Sequence, residues 1–181
     1  MSMLVGPGGA KADLYTPVED AASLSLVDGP ILVGLTVIDA ALADRRNERL
    51  GLVVANDTPI TAIEPYFGSI DLIAITFPSF SDGRGLSLSR RLRRAGFAGT
   101  LRVRGPIVAD QFAEALACGF DEVEVPDAMA ARQPLDQWLG AKDIVTDRYQ
   151  GGYGEGESIL QKRRAARQGA GSDRQGSDRY E

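Results

Sequence analysis

The residues in this chain whose types and spacing could do chemistry lie in Phe77-Pro78-Ser79-Phe80-Ser81-Asp82-Gly83-Arg84-Gly85-Leu86-Ser87, where an apolar run breaks into an aspartate and an arginine set among glycines. Glycines beside Arg84 permit a sharp turn and a close backbone approach to a ligand. A helix starting there would add free N–H groups and a positive dipole end, so the chemistry suggested is anion binding through Asp82, Gly83, Arg84, Gly85 and Ser87. The plainer reading of the same residues is a turn in which Asp82 accepts backbone hydrogen bonds.

Two further groups extend the candidate site. Arg104 ends a strand-like run, and a guanidinium there could join Arg84 in forking onto a small oxyanion, or pair across strands with Glu122 or Glu124, which leaves Arg84 the stronger candidate. Asp110 and Gln111 open the next helix, either completing a ligand site or serving as helix-start residues. Asp82 itself is a cap, a partner of Arg84 or an acid/base group.

Composition limits the alternatives. The 181 residues include no histidine and one cysteine, Cys118, which removes histidine triads, histidine-held metals, an internal disulfide framework and any thiolate-clustered metal site. Cys118 precedes Gly119 at an expected helix end, where the dipole disfavours a thiolate, so it reads as structural. Gly83-Arg84-Gly85 lacks the third glycine of a dinucleotide fingerprint, and no phosphate loop with lysine occurs. No flavin, haem, iron–sulfur or nicotinamide cofactor is evident, and no metal site. A redox enzyme without a cofactor or paired thiols is hard to justify chemically.

The net charge is -5, yet residues 83–109 hold seven arginines and no acid. Arg90, Arg91, Arg93 and Arg94 spread around a helix as a solvated face or as a docking surface for an acidic protein. Nucleic acid is disfavoured by the acidity elsewhere. No apolar run approaches the roughly 20 residues of a membrane span, and the first residues lack signal-peptide blocks, so a cytoplasmic protein is expected.

The elements that must position these residues follow from periodicity. Strands are expected at 31–35, 52–55, 71–77, 101–104 and 121–125, with helices after 36, 59, 84 and 108 and around 133–139. About five β/α units predict an α/β domain with a parallel sheet over 29–150. An open three-layer, flavodoxin-like sheet is preferred. The alternative is an incomplete (βα) barrel, in which Arg102, Arg104, Glu122 and Glu124 share one face; in both, binding groups gather at the C-terminal strand ends. Residues 1–28 read as a loosely packed arm. Residues 151–181, glycine-rich with a repeated Gly-Ser-Asp-Arg, read as a mostly disordered tail with a short helix over 158–167.

The run from Phe77 to Val125 resembles the bacterial domain of unknown function 934 family. The matching residues are Phe77-Pro78, Phe80, Asp82-Gly83-Arg84-Gly85, Ser87, Leu92-Arg93, Gly96-Phe97, Gly99, Leu101-Arg102, Gly105, Asp110-Gln111 and Cys118-Gly119-Phe120-Asp121. Departures fall at Leu86, Ser89, Thr100 and Ala117, where the family usually has an aromatic, alanine, glutamate and arginine. The family carries the label of oxidoreductases of sulfite reduction. The resemblance therefore implies a part in assimilatory sulfite and sulfate reduction; with no cofactor fingerprint or paired thiols in the residues, the expected role is that of an accessory that binds a sulfur oxyanion or the sulfite reductase. The alternatives are an oxidoreductase of that pathway and a general anion- or metabolite-binding module.

Overall fold

The computed structural model describes residues 2–44 and 48–142. The tail and short helix expected beyond residue 150 lie outside them. Eight strands form one sheet: β1 Ser2–Gly6, β2 Gly9–Lys11, β3 Thr16–Val18, β4 Ile31–Gly34, β5 Leu50–Ala55, β6 Leu72–Thr76, β7 Thr100–Arg104 and β8 Glu122–Pro126. The helices are α1 Ile38–Asp44, α2 Arg84–Arg94, α3 Phe112–Ala117, the single turn α4 Asp127–Ala130, and α5 Leu135–Ala141. The five expected strands are β4 to β8.

The strand order is β2-β1-β8-β7-β6-β5-β4-β3, parallel from β3 through β8 and antiparallel at β1 and β2. Each crossover from β3 to β8 steps to the next strand in the same direction. Right-handed crossovers that never reverse put every helix on one face and leave the other as an interior. A flavodoxin-like sheet requires a reversal, so of the two architectures weighed from sequence the incomplete barrel is the one adopted.

A single short connection shows how strongly the sheet curls. Strands β2 and β3 form its two edges and are joined by residues 12–15 alone. Laid flat, eight strands would hold these edges about 34 Å apart. The connector reaches at most about 17 Å, so the sheet must bend its edges toward one another.

The outer face carries the main core. Ile31, Val33, Leu52, Ile73, Ile75, Val103 and Val123 pack there against Leu88 and Leu92 of α2, Phe112 of α3 and Trp138 of α5. Phe112 and Trp138 meet edge to face with ring centroids 5.7 Å apart. Helix α2 ends in a Schellman motif: Phe97 N–H bonds Leu92 C=O, Gly96 N–H bonds Arg93 C=O, and Gly96 takes φ 97°. Gly119-Phe120 closes α3 with the same pair of bonds.

Residues 2–28 are not a loose arm. Val5 is fully buried, Leu4, Val18 and Leu24 nearly so, and β1 pairs with β8 over four residues. The segment supplies three strands and the connector that crosses the interior.

Candidate functional site

The loop from β6 to α2 is organised by Asp82. Its Oδ1 accepts the backbone N–H of Arg84 at 3.2 Å and Arg84 Nε at 3.0 Å, while Oδ2 accepts Arg84 Nη2 at 2.7 Å. Arg84 Nη1 also reaches Asp57 Oδ2 at 3.4 Å. The helix cap is Gly83, which has no side chain to offer, so the preceding Asp82 satisfies the first free N–H in its place. Two of the roles weighed from sequence, turn acceptor and partner of Arg84, are thus filled together. The Arg84 side chain stays 59% exposed.

Of the two glycines, Gly85 serves packing. A Cβ on Gly85 would run into the Phe77 ring, so this glycine lets α2 seat on the strand end. Gly83 has open space around it and an ordinary φ of -76°. Ser87 lies exposed on the first turn of α2.

Arg84 and then Asn56 hold the Asp82 carboxyl well below the usual carboxylate range, helped by the Arg84 backbone N–H. Asp82 in turn raises the Arg84 pKa. Asn56, at the end of β5, is buried; its amide lies close enough to favour the ionised Asp82, yet Nδ2 makes no hydrogen bond of good geometry. Asn56 and Asp57 escaped the sequence reasoning because Asn56-Asp57-Thr58-Pro59 reads equally as a turn. Only the pairing of β5 with β6 brings them beside Asp82.

Gln111 is a clip. Its Nε2 donates to Phe80 C=O at 2.7 Å, pinning the β6–α2 loop, and its Oε1 accepts Val108 N–H at 3.1 Å. Each end of the amide is thus engaged within the protein. A cavity of about 250 Å³ lies between loop and α3, with Phe80, Asp82, Gly83, Leu86 and Gln111 among its walls. Asp110 is exposed on the adjoining turn.

Arg104 is not in this cluster. It ends β7 on the inner face of the sheet, where the parallel register sets Arg102 opposite Glu122 and Arg104 opposite Glu124. Arg102 is fully enclosed: Nε donates to Glu122 at 2.9 Å, Nη1 and Nη2 fork onto Asp13 at 2.9 and 3.0 Å, and Tyr15 lies 5.7 Å away over the guanidinium. Burial opposes the Arg102 charge, but Asp13 and Glu122 more than offset it and raise its pKa. Lys11 also pairs with Glu122. At the C-terminal ends of the strands the interior opens beside Arg104 and Thr76.

The α2 arginines divide by role. Arg93 donates to Gly119 C=O at 2.9 Å, Phe97 C=O at 2.9 Å, Gly99 C=O at 2.7 Å and Asp121 at 2.5 Å, tying both helix ends together. It leaves the solvated face assigned to it from sequence. Arg90, Arg91 and Arg94 remain exposed, with no acidic partner among the described residues. Cys118 is buried at the end of α3, where its C=O accepts the Ser89 hydroxyl at 3.0 Å. Among the described residues no Cys, Asp and Glu side chains gather in threes as metal ligands would, and no helix is long and apolar enough to cross a membrane.

The family model described as "Bacterial protein of unknown function (DUF934)" matches residues 51–160, more than half of the chain, and the chain belongs to that family. The match spans β5 through α5 and so includes the Asp82–Arg84 loop, the clip at Gln111 and the arginines of α2. Nothing among the curated proteins matches the chain.

Proposed function

We propose that this member of the family is an accessory protein of assimilatory sulfite reduction that docks onto an acidic surface of the sulfite reductase through α2 and the loop before it. The observation that carries the docking is the set of three exposed α2 arginines, Arg90, Arg91 and Arg94, without acidic partners among the described residues, in a chain of net charge -5. Opposite charges that neutralise one another inside a protein lend nothing to a partner, whereas an unpaired single-sign stripe steers association.

Beyond the stripe, at the N-terminal end of α2, Arg84 is neutralised by Asp82 and Asp57 and adds exposed contact surface rather than free charge, as does the Phe80 ring, 58% exposed. Arginine and aromatic side chains are both enriched at protein interfaces. The Asp82–Arg84 hydrogen bonds and the Gln111 clip hold both in place before any partner arrives. Of the two roles proposed for the Asp-Gly-Arg-Gly loop, oxyanion clamp and protein contact, docking suits it better. Two carboxylates already share Arg84, and a bare anion would have to displace them.

The test is titration of purified sulfite reductase with the full chain at low and high salt. Wild type should bind more weakly as salt rises, and Arg90→Glu/Arg94→Glu should weaken binding by about tenfold or more at low salt. Equal affinity of variant and wild type, or no complex at any salt, removes the reading.

A further inference from the structure

The inner face of the sheet repeats one charge pairing at two depths, and the two layers are in opposite states. In the lower layer Arg102 and Glu122 are both buried, bonded at 2.9 Å, and closed over by Asp13 from the connector. One layer higher, Arg104 and Glu124 face the mouth of the barrel. There Arg104 Nε lies 3.5 Å from Glu124 Oε2, and Nη1 and Nη2 have no partner among the described residues. Glu124 is held only loosely, by the Ser2 hydroxyl at 3.3 Å and Arg102 Nη1 at 3.8 Å. These distances are at or beyond the long limit of a hydrogen bond, so both groups retain capacity for a further partner.

The space above them is a cavity of about 600 Å³, within the range of small-molecule sites. Thr76 adds a hydroxyl, while Pro17 and Pro126 supply apolar wall from opposite sides. It lies at the C-terminal ends of parallel strands, where βα folds gather their ligand-binding groups.

The charges define the ligand. An arginine whose two N–H₂ groups have no partner among the described residues asks for an oxyanion that can take a fork. A bare sulfate or sulfite there would meet the Glu124 carboxylate at the same place and be repelled. A molecule bearing a carboxylate and an adjacent ammonium satisfies both groups at once, and an α-amino acid carries the two on a single carbon. We propose that the barrel mouth binds a small zwitterion of the α-amino acid class, its carboxylate on Arg104, its ammonium on Glu124 and Thr76, and its side chain between Pro17 and Pro126. This site is on the inner face of the sheet, and the docking stripe is on α2 outside it. Either can fail without the other.

The experiment is calorimetric titration of the full chain with a panel of L-α-amino acids, with propionate, propylamine and sulfate as comparators carrying one charge type each. At least one amino acid should bind with a dissociation constant of about 1 mM or tighter, and each comparator about tenfold more weakly. Arg104→Gln, Arg104→Lys and Glu124→Gln should each lower that affinity by about tenfold with unchanged circular dichroism, the lysine because it keeps the charge but loses the fork. The proposal is overturned if no amino acid reaches that affinity, if propionate or sulfate binds as tightly, or if the folded variants bind like wild type.

Discussion

Replacing Arg102 by methionine tests the view that the barrel interior is held by a closed ion network. The substitution roughly preserves side-chain volume and removes a guanidinium that is 2% exposed and bonded to Asp13 and Glu122. Breaking a buried pair by deleting one partner costs about 3–5 kcal/mol, because the other charge is left uncompensated. Two features place this case at the lower end. Lys11 still neutralises Glu122, and Asp13, 31% exposed, can rehydrate. The expected loss is therefore about 3 kcal/mol, a large share of the roughly 5–15 kcal/mol typical of a domain. At roughly 2–4 °C per kcal/mol for a chain of this size, the melting midpoint should fall by about 6–12 °C.

Urea unfolding measures this directly, with the midpoint shifted and the slope unchanged. Lys11→Met is the comparison, since it removes a half-exposed cation from the same Glu122 and should cost about 1 kcal/mol or less. Adding Glu122→Gln to Arg102→Met should recover part of the loss, because the stranded buried charge is then gone. The reasoning fails if Arg102→Met lies within about 1 kcal/mol of wild type, or if Lys11→Met is equally damaging.

Gly105→Ala should destabilise by about 1–3 kcal/mol, because Gly105 holds φ 127° and a Cβ there would run into Phe77 C=O; urea unfolding again reads it, and a neutral result would show that the strand end gives way freely. Asp82 should titrate below the ordinary aspartate value of about 3.9 in carbon-detected NMR, and Arg84→Ala should return it toward that value. The sign is that of a depressed carboxylate: its contribution to stability is complete above the unfolded pKa and is lost as pH falls toward the folded one. A wild-type Asp82 titrating near 4 would refute the pairing with Arg84.

The strands that were legible in the sequence are those with long apolar runs or clean alternation, β4 to β8. The first three were not, because β2 and β3 have three residues each, glycine and proline interrupt them, and β1 finds its partner β8 at the far end of the chain. The candidate loop stood out as a polar break after an apolar run, but its partners Asn56 and Asp57 belong to another loop that only strand order brings near. The different fate of Arg93 has a signal in the sequence. Arg93 lies on the same helical row as Gly85 and Ser89, small residues that let α2 sit close to neighbouring chain, so it was placed to be captured there.

The division of labour inside the barrel shows what pattern alone cannot carry. Arg102-Val103-Arg104 and Glu122-Val123-Glu124 are symmetrical in sequence, and their alternation assigns all four charges to one face without distinguishing them. The distinction arises from residues 12–15, which must cross the interior to join the sheet's two edges and in doing so place Asp13 and Tyr15 on Arg102. No hydrogen bond or ion pair joins the connector to Arg104. A connector long enough to pass over the mouth could have closed both layers alike. This one is only four residues long, so it closes the lower layer and leaves the upper pair to whatever ligand can complete it.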